Sequence, residues 1–335
     1  MTIKVIKPGM LSQLQDGGRY GYQQYGVIVS GAMDSWAHQA ASLLVGNDGE
    51  ATLEMTMLGP TLFFEEEALI AICGGDLQAR IGDEPLPMWR PIVVPEGSTL
   101  VFGAAQVGCR AYLAVAGGFD VPQVMGSYAT YARAGIGGYD GRALRAGDRL
   151  ACKPPSAVGA RMLERLRATA DGAAPFTAAR WSLSREMIPA YAEHPEIRIM
   201  AGPQLLLLDE ESQRALLTET YRISPQSDRM GYRLEGAPLR LTAPLDMLSE
   251  PVAFGTVQVP PDGQLIVLMA DRQTTGGYPK AAQVVSADLP LLAQARAGSE
   301  ISFRMVDLQE AQESLLLMEL SLGAARQRIR VFVED

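Results

Sequence analysis

Short β-type runs bounded by Gly, Pro and Asp recur through the whole chain, at residues 3–6, 61–64, 69–73, 92–94, 99–102, 109–115, 197–201, 265–269, 301–305 and 329–333. A short strand leaves backbone donors and acceptors unpaired along both edges, so many of them must assemble into closed or layered sheets. The pattern therefore predicts barrels or sandwiches. Helical spacing is confined to residues 34–45 with Gly46 as a stop, 161–168, 205–218, and 288–295 with Gly298 beyond. Residues 154–195 mix Pro, Ala and charge without β alternation and read as an interdomain connector.

A length of 335 residues with 47% hydrophobic and 20% charged content is enough for two domains with ample core. The net charge of −9, without any block of like charge, argues against nucleic acid or an anionic membrane as a partner. The N-terminus lacks the apolar core of a signal peptide and no apolar run approaches membrane-spanning length, which points to the cytoplasm. Cys73, Cys109 and Cys152 are odd in number and widely spaced, and read as buried reduced thiols.

The two halves echo one another. Ile3-Lys4-Val5-Ile6-Lys7-Pro8-Gly9 precedes Asp16-Gly17-Gly18-Arg19-Tyr20-Gly21-Tyr22, and Ile197-Arg198-Ile199-Met200-Ala201-Gly202-Pro203 precedes Asp228-Arg229-Met230-Gly231-Tyr232.

Several catalytic engines are missing. No glycine-rich stretch ends in Gly-Lys-Ser or Gly-Lys-Thr, and Gly135-Ile136-Gly137-Gly138-Tyr139-Asp140-Gly141 places Asp140 where a dinucleotide fingerprint needs its third glycine. It reads as a hairpin loop. Two histidines cannot readily build a triad or a zinc site; His38 is expected on the solvated side of its helix, His194 lies in the connector, and no metal is expected.

What remains are polar clusters at strand ends, the richest being Met269-Ala270-Asp271-Arg272-Gln273-Thr274-Thr275-Gly276-Gly277-Tyr278-Pro279-Lys280. Each cluster alone is compatible with turn capping and surface ion pairing. Together, Arg19, Arg229, Arg272 and Lys280 offer donors to a carboxylate or oxyanion, while Asp228, Glu250 and Asp271 offer proton transfer. That combination suits a small acid.

At these residues the chain resembles the biotin-dependent carboxyltransferase family, which comprises the C subunit of bacterial 5-oxoprolinase, the KipA-type antagonists and the allophanate hydrolase subunit 2 domain of urea carboxylase. The resemblance runs through Leu14-Gln15-Asp16-Gly17-Gly18-Arg19, Ser30-Gly31-Ala32-Met33-Asp34, Leu44-Val45-Gly46-Asn47, Leu53-Glu54, Arg110-Ala111-Tyr112-Leu113, Ser227-Asp228-Arg229-Met230-Gly231-Tyr232, Gly255-Thr256-Val257-Gln258-Val259-Pro260 and the full Asp271 to Lys280 block. Ser42 and Tyr128 depart from the usual pattern.

The resemblance implies a mainly β protein of two cyclophilin-like β-barrel domains with a few short helices, divided as 1–153, a connector at 154–195, and 196–335. It implies a component of ATP-dependent 5-oxoprolinase that works with a B subunit, of the allophanate hydrolase subunit 1 or KipI type, and with an A subunit. Such an assembly converts 5-oxo-L-proline to L-glutamate with ATP as cosubstrate, although this chain has no ATP motif. Asp271, Arg272, Lys280 and Glu250 are the expected catalytic residues. Arg229, Asp228, Gln258, Gln273, Thr274, Thr275, Tyr278, Arg19 and Asp16 are expected to bind substrate, with charged tips from both barrels meeting in one hollow. The alternatives are a carboxyltransferase component using biotin on a partner to act on a urea-like amide, and a regulatory protein that sequesters a kinase inhibitor resembling the B subunit.

Overall fold

The computed structural model describes residues 1–170 and 174–334. Three residues of the expected connector, 171–173, and the terminal residue 335 lie outside the described residues. The chain divides into two compact units, the first Met1–Arg19, Asp34–Pro189 and Leu320–Asp335, the second Tyr20–Met33 and Ala190–Glu319.

In the first unit two six-stranded sheets share one apolar core. One sheet runs in the order Arg149–Ala151, Thr2–Lys7, Thr61–Phe64, Thr99–Val101, Arg80–Ile81, Glu84–Pro85; the other runs Thr177–Ala178, Pro91–Val94, Ala68–Asp76, Val107–Val115, Thr52–Thr56, Leu11–Gln15. Strand alternation sends Ile3, Val5, Leu62 and Phe64 from the first sheet, and Leu14, Leu53, Met55, Ile70, Ile72, Leu113 and Val115 from the second, into that core. The barrel expected for the N-terminal half thus takes the form of paired sheets.

Helix Ser35–Leu44 starts where Asp34 accepts a hydrogen bond from the Ala37 N–H, and ends before Gly46 at φ +73°. Of the segment expected to be a connector, the described residues up to Pro189 belong to this unit and those from Ala190 to the second. Helix Ala157–Arg167 is capped by Ser156, whose hydroxyl accepts from the Gly159 N–H and donates to the Gly46 carbonyl, and Thr177–Ala178 extends a sheet.

The second unit is a closed barrel in the order Glu196–Ala201, Lys280–Val284, Thr256–Gln258, Ile266–Leu268, Gly231–Glu235, Tyr221–Ile223, Glu300–Met305. Parallel pairing of Glu196–Ala201 with Glu300–Met305 completes the closure and removes both sheet edges. Ile197, Ile199, Leu234, Val257, Val267, Ala282, Val284 and Phe303 fill the interior. A two-stranded ribbon, Glu250–Pro251 with Thr275–Gly276, stands apart from the barrel strands.

Two local expectations are corrected. Residues 329–333 are not a strand but part of helix Leu308–Glu334. His38 is not solvated: it is 4% exposed, its Nδ1 lies 2.8 Å from Thr52 Oγ1, and burial lowers its pKa to about 4, against weaker opposing effects of Asp16 and Glu54. The three cysteines are free and buried. Among the described residues no helix is long and apolar enough to cross a membrane, and no group of three or more His, Cys, Asp and Glu side chains is placed to hold a metal.

Candidate functional site

The loop after Ile266–Leu268 joins two barrel strands that flank Thr256–Gln258 on either side. It first turns back on the barrel, with the Asp271 N–H donating to Arg229 O at 2.7 Å and the Arg272 N–H to Met269 O at 3.1 Å. Thr275 and Gly276 then pair with Pro251 and Glu250 before the chain enters Lys280–Val284. Rigid strands on both sides hold the polar residues between them.

Asp271 and Arg229 form a buried bidentate ion pair, Nε to Oδ2 at 2.9 Å and Nη2 to Oδ1 at 3.0 Å. Ser30 Oγ also donates to Asp271 Oδ1 at 2.7 Å, and Arg229 Nη2 donates to the Gly31 carbonyl at 2.6 Å. With 8% and 14% of the side chains exposed, the pair fastens the 20–33 segment to the barrel loops of its own unit. Both groups are engaged in these contacts with one another and with Ser30 and Gly31.

Arg272 behaves differently. Among the described residues its guanidinium has neither a hydrogen bond nor an ion pair, its Nε is buried without a partner, and it lies 5.9 Å from the centroid of the Phe254 ring. Burial lowers its pKa from the ordinary value, while Tyr20 and Asp271 act in the opposite direction. The group stays cationic. A guanidinium with uncommitted donors has the chemistry to hold a carboxylate or other planar anion.

Lys280 and Gln258 are cross-strand partners, next to a register shift between Val257 and Gln258. Lys280 Nζ pairs with Glu250 on the ribbon, where the side chains are 15% and 49% exposed. Gln258 is 1% exposed and its Nε2 has no partner among the described residues. A Cβ on Gly276 would come within 2.5 Å of that nitrogen, so a larger residue there would require the Gln258 amide to shift. The ammonium, the carboxylate and the amide donor therefore share one corner of the barrel.

The other expected residues scatter. Gln273 and Thr275 are exposed, while the Thr274 carbonyl accepts from Gln23 Nε2 at 2.9 Å. Tyr278 borders a separate cleft of ≈ 750 Å³ with Arg240, Asp246, Met247 and Val259. Asp228 caps its own turn through the Met230 N–H at 2.8 Å, and in the first unit Asp16 does the same through the Gly18 N–H at 2.8 Å. Arg19 is fully buried and donates to the carbonyls of Val124 and Ala129 at 2.9 and 2.8 Å. In both units the Asp of the internal echo thus caps a turn and the Arg is buried against backbone carbonyls.

A buried polar ladder in the first unit was missed. Gln13, Glu54 and Tyr112 stand side by side on three neighbouring strands, flanked by Gln15 with Thr52 and by Thr56 with Arg110. Tyr112 donates to Glu54 Oε2 at 2.7 Å and accepts from the Asp34 N–H at 2.8 Å. Burial, with Glu54 and Asp34 nearby, pushes the phenol well above its ordinary pKa and keeps the donor protonated. The sequence signal was the alternation Thr52-Leu53-Glu54-Met55-Thr56, but alternation alone describes a wet face equally well.

A carboxyltransferase domain model, subdomains A and B, matches residues 25–305, and the chain belongs to that family. It is 40% identical over 311 residues to the C subunit of 5-oxoprolinase from Escherichia coli strain K12, covering 92% of this chain and 93% of the relative. Its identity to the corresponding 5-oxoprolinase C subunit of Haemophilus influenzae is 37% over 325 residues, with 97% of each chain covered. The solved urea carboxylase of Kluyveromyces lactis superposes with a TM-score of 0.86 at 28% identity over 97% of this chain, which spans only 29% of that larger protein.

Proposed function

We propose that this chain is the C-type component of an ATP-dependent 5-oxoprolinase, opening the lactam of 5-oxo-L-proline to L-glutamate with partners of the A and B types. The observation that carries the reading is Arg272, a half-buried guanidinium whose donors are uncommitted among the described residues, in a chain that aligns over nearly its whole length with two proteins named for this activity. The substrate carboxylate is a planar anion, and the guanidinium fork matches it.

In this reading Lys280 steadies charge on the lactam oxygen, Gln258 donates an amide N–H to the ring, and Glu250, half-exposed beside Lys280, carries the proton between water and the leaving nitrogen. Arg229 and Asp271 hold the loop in place. ATP serves the assembly as cosubstrate.

Reconstitution with purified A and B subunits, ATP and 5-oxoproline, following glutamate, tests the proposal. Arg272→Ala and Lys280→Ala should each lower kcat/KM by on the order of a hundredfold. Undiminished turnover in both would remove the assignment. The likeness to urea carboxylase favours one second reading, carboxyl transfer from a biotinylated partner, which a streptavidin blot of co-purified proteins would reveal.

A further inference from the structure

The ribbon that carries Glu250 has little strand pairing to hold it. Glu250 pairs with Gly276 and Pro251 with Thr275, and the proline brings no N–H to the second pair. Just beyond, the Val252 N–H donates to the Thr274 carbonyl at 3.2 Å. A two-stranded ribbon of this length is marginal by itself. Its placement matters to the site, because Glu250 meets Lys280 there and Gly276 stands against the Gln258 amide.

One side chain bridges the two strands. Gln23 Nε2 donates to the Thr274 carbonyl at 2.9 Å and, in a longer contact, to the Val252 carbonyl at 3.4 Å, so a single amide group holds a carbonyl from each side of the ribbon. Gln23 belongs to the same compact unit as the ribbon although 229 positions separate it from Val252. Its own turn, Gln23–Tyr25, is closed by Gly26 at φ +77°, whose N–H donates to the Gln23 carbonyl at 3.0 Å. Further along the segment, Ser30 donates to Asp271, the Gly31 carbonyl accepts from Arg229, and Met33 enters the barrel core. The segment is therefore fastened to the barrel loops at one end and grips the ribbon at the other.

We propose that Gln23 is a positioning residue for the ring-opening site. By joining Val252 to Thr274 it sets where the ribbon presents Glu250 beside Lys280, and so where the proton carrier stands relative to the lactam. This inference rests on the ring-opening reading. The substrate carboxylate is held elsewhere, at Arg272, whose N–H donates to the Met269 carbonyl at 3.1 Å and whose neighbour Asp271 is fixed by Arg229. Loss of the Gln23 donor therefore slows the chemical step and leaves substrate capture intact.

The test has two arms. In the assembly reconstituted with A and B subunits, ATP and 5-oxoproline, Gln23→Glu keeps the shape of the side chain and loses the donor; kcat should fall by about tenfold with KM within about twofold of wild type. Gln24→Glu adds the same charge at the exposed neighbouring position and should match wild type. Melting temperatures report folding, and Gln23→Met, uncharged and of similar length, replaces Gln23→Glu should that variant melt early. In the second arm, hydrogen exchange of the full chain alone, read on the peptide that contains Val252, should be about tenfold faster in Gln23→Glu than in wild type or Gln24→Glu. An unchanged kcat in Gln23→Glu and Gln23→Met, an equal loss in Gln24→Glu, or a raised KM with kcat unchanged overturns the proposal while the ring-opening reading stands. If the wild-type assembly makes no glutamate, that reading falls, and the exchange arm decides the clamp: faster exchange upholds it, unchanged exchange overturns it.

Discussion

Removing the Asp271 carboxylate takes the bidentate acceptor away from the buried Arg229 guanidinium, which also donates to the Gly31 carbonyl. Asp271→Ala is therefore expected to destabilise the protein by about 3–5 kcal/mol, read as a lower urea midpoint. The neighbouring Arg272→Ala removes a cation with no hydrogen bond or ion pair among the described residues, and its stability should stay within about 1 kcal/mol of wild type while activity falls. This contrast separates a fastener from a ligand group. His38 provides a second residue-scale prediction. Its folded pKa of about 4 lies below the ordinary 6.5, so the unfolded chain binds the proton first as pH falls. The stability from neutral His38 is complete above pH 6.5 and is progressively lost toward pH 4; at pH 5 the loss is about 2 kcal/mol. Urea unfolding at pH 7.5 and pH 5 should show that loss in wild type, and a smaller one in His38→Gln. From sequence, Arg272 and Asp271 look alike as charged loop residues; the partner that distinguishes them, Arg229, is 42 positions away.

At the scale of elements, helix Ser35–Leu44 was legible because its signals are local: an Asp cap, an apolar face and a glycine stop. The stop also carries a tertiary load, since a Cβ on Gly46 would lie 2.7 Å from the backbone nitrogen of Gly159 at a φ of +73°. Gly46→Ala should cost about 1–2 kcal/mol from the left-handed backbone alone, and more if helix Ala157–Arg167 must move. A drop in melting temperature with unchanged helical circular dichroism would show this; an unchanged melting temperature would count against the packing. Residues 329–333 misled for a physical reason. Ile329-Arg330-Val331-Phe332-Val333 is rich in β-branched side chains, yet Ala325, Ile329 and Val333 are the buried positions, and that spacing of four belongs to a helix. The ribbon Glu250–Pro251 with Thr275–Gly276 was invisible because two-residue strands carry no period.

For the molecule as a whole, the buried thiols offer a direct check. Burial pushes Cys152 up to about 12 and Cys73 well above its ordinary value, so an aromatic disulfide reagent at pH 8 should react slowly with the native protein and with three thiols once urea unfolds it. Fast native labelling of Cys73 or Cys152 would contradict the packing described. The division of the chain shows where sequence reading stops. Periodicity, turn residues and caps operate over a few residues, and they sufficed for a mainly β protein, for most strands, and for the loop from Met269 to Lys280 as a place where chemistry gathers. Residues 20–33 carry the same kinds of signal as their neighbours, yet they join the second unit through Gln23, Ser30, Gly31 and Met33. Which charges are neutralised, and which polar faces are dry, depends on groups brought close by long-range pairing. Local sequence set the backbone conformations; only the tertiary structure decided the electrostatic role of each charged side chain, because Coulomb energy and desolvation depend on distance in space and not along the chain.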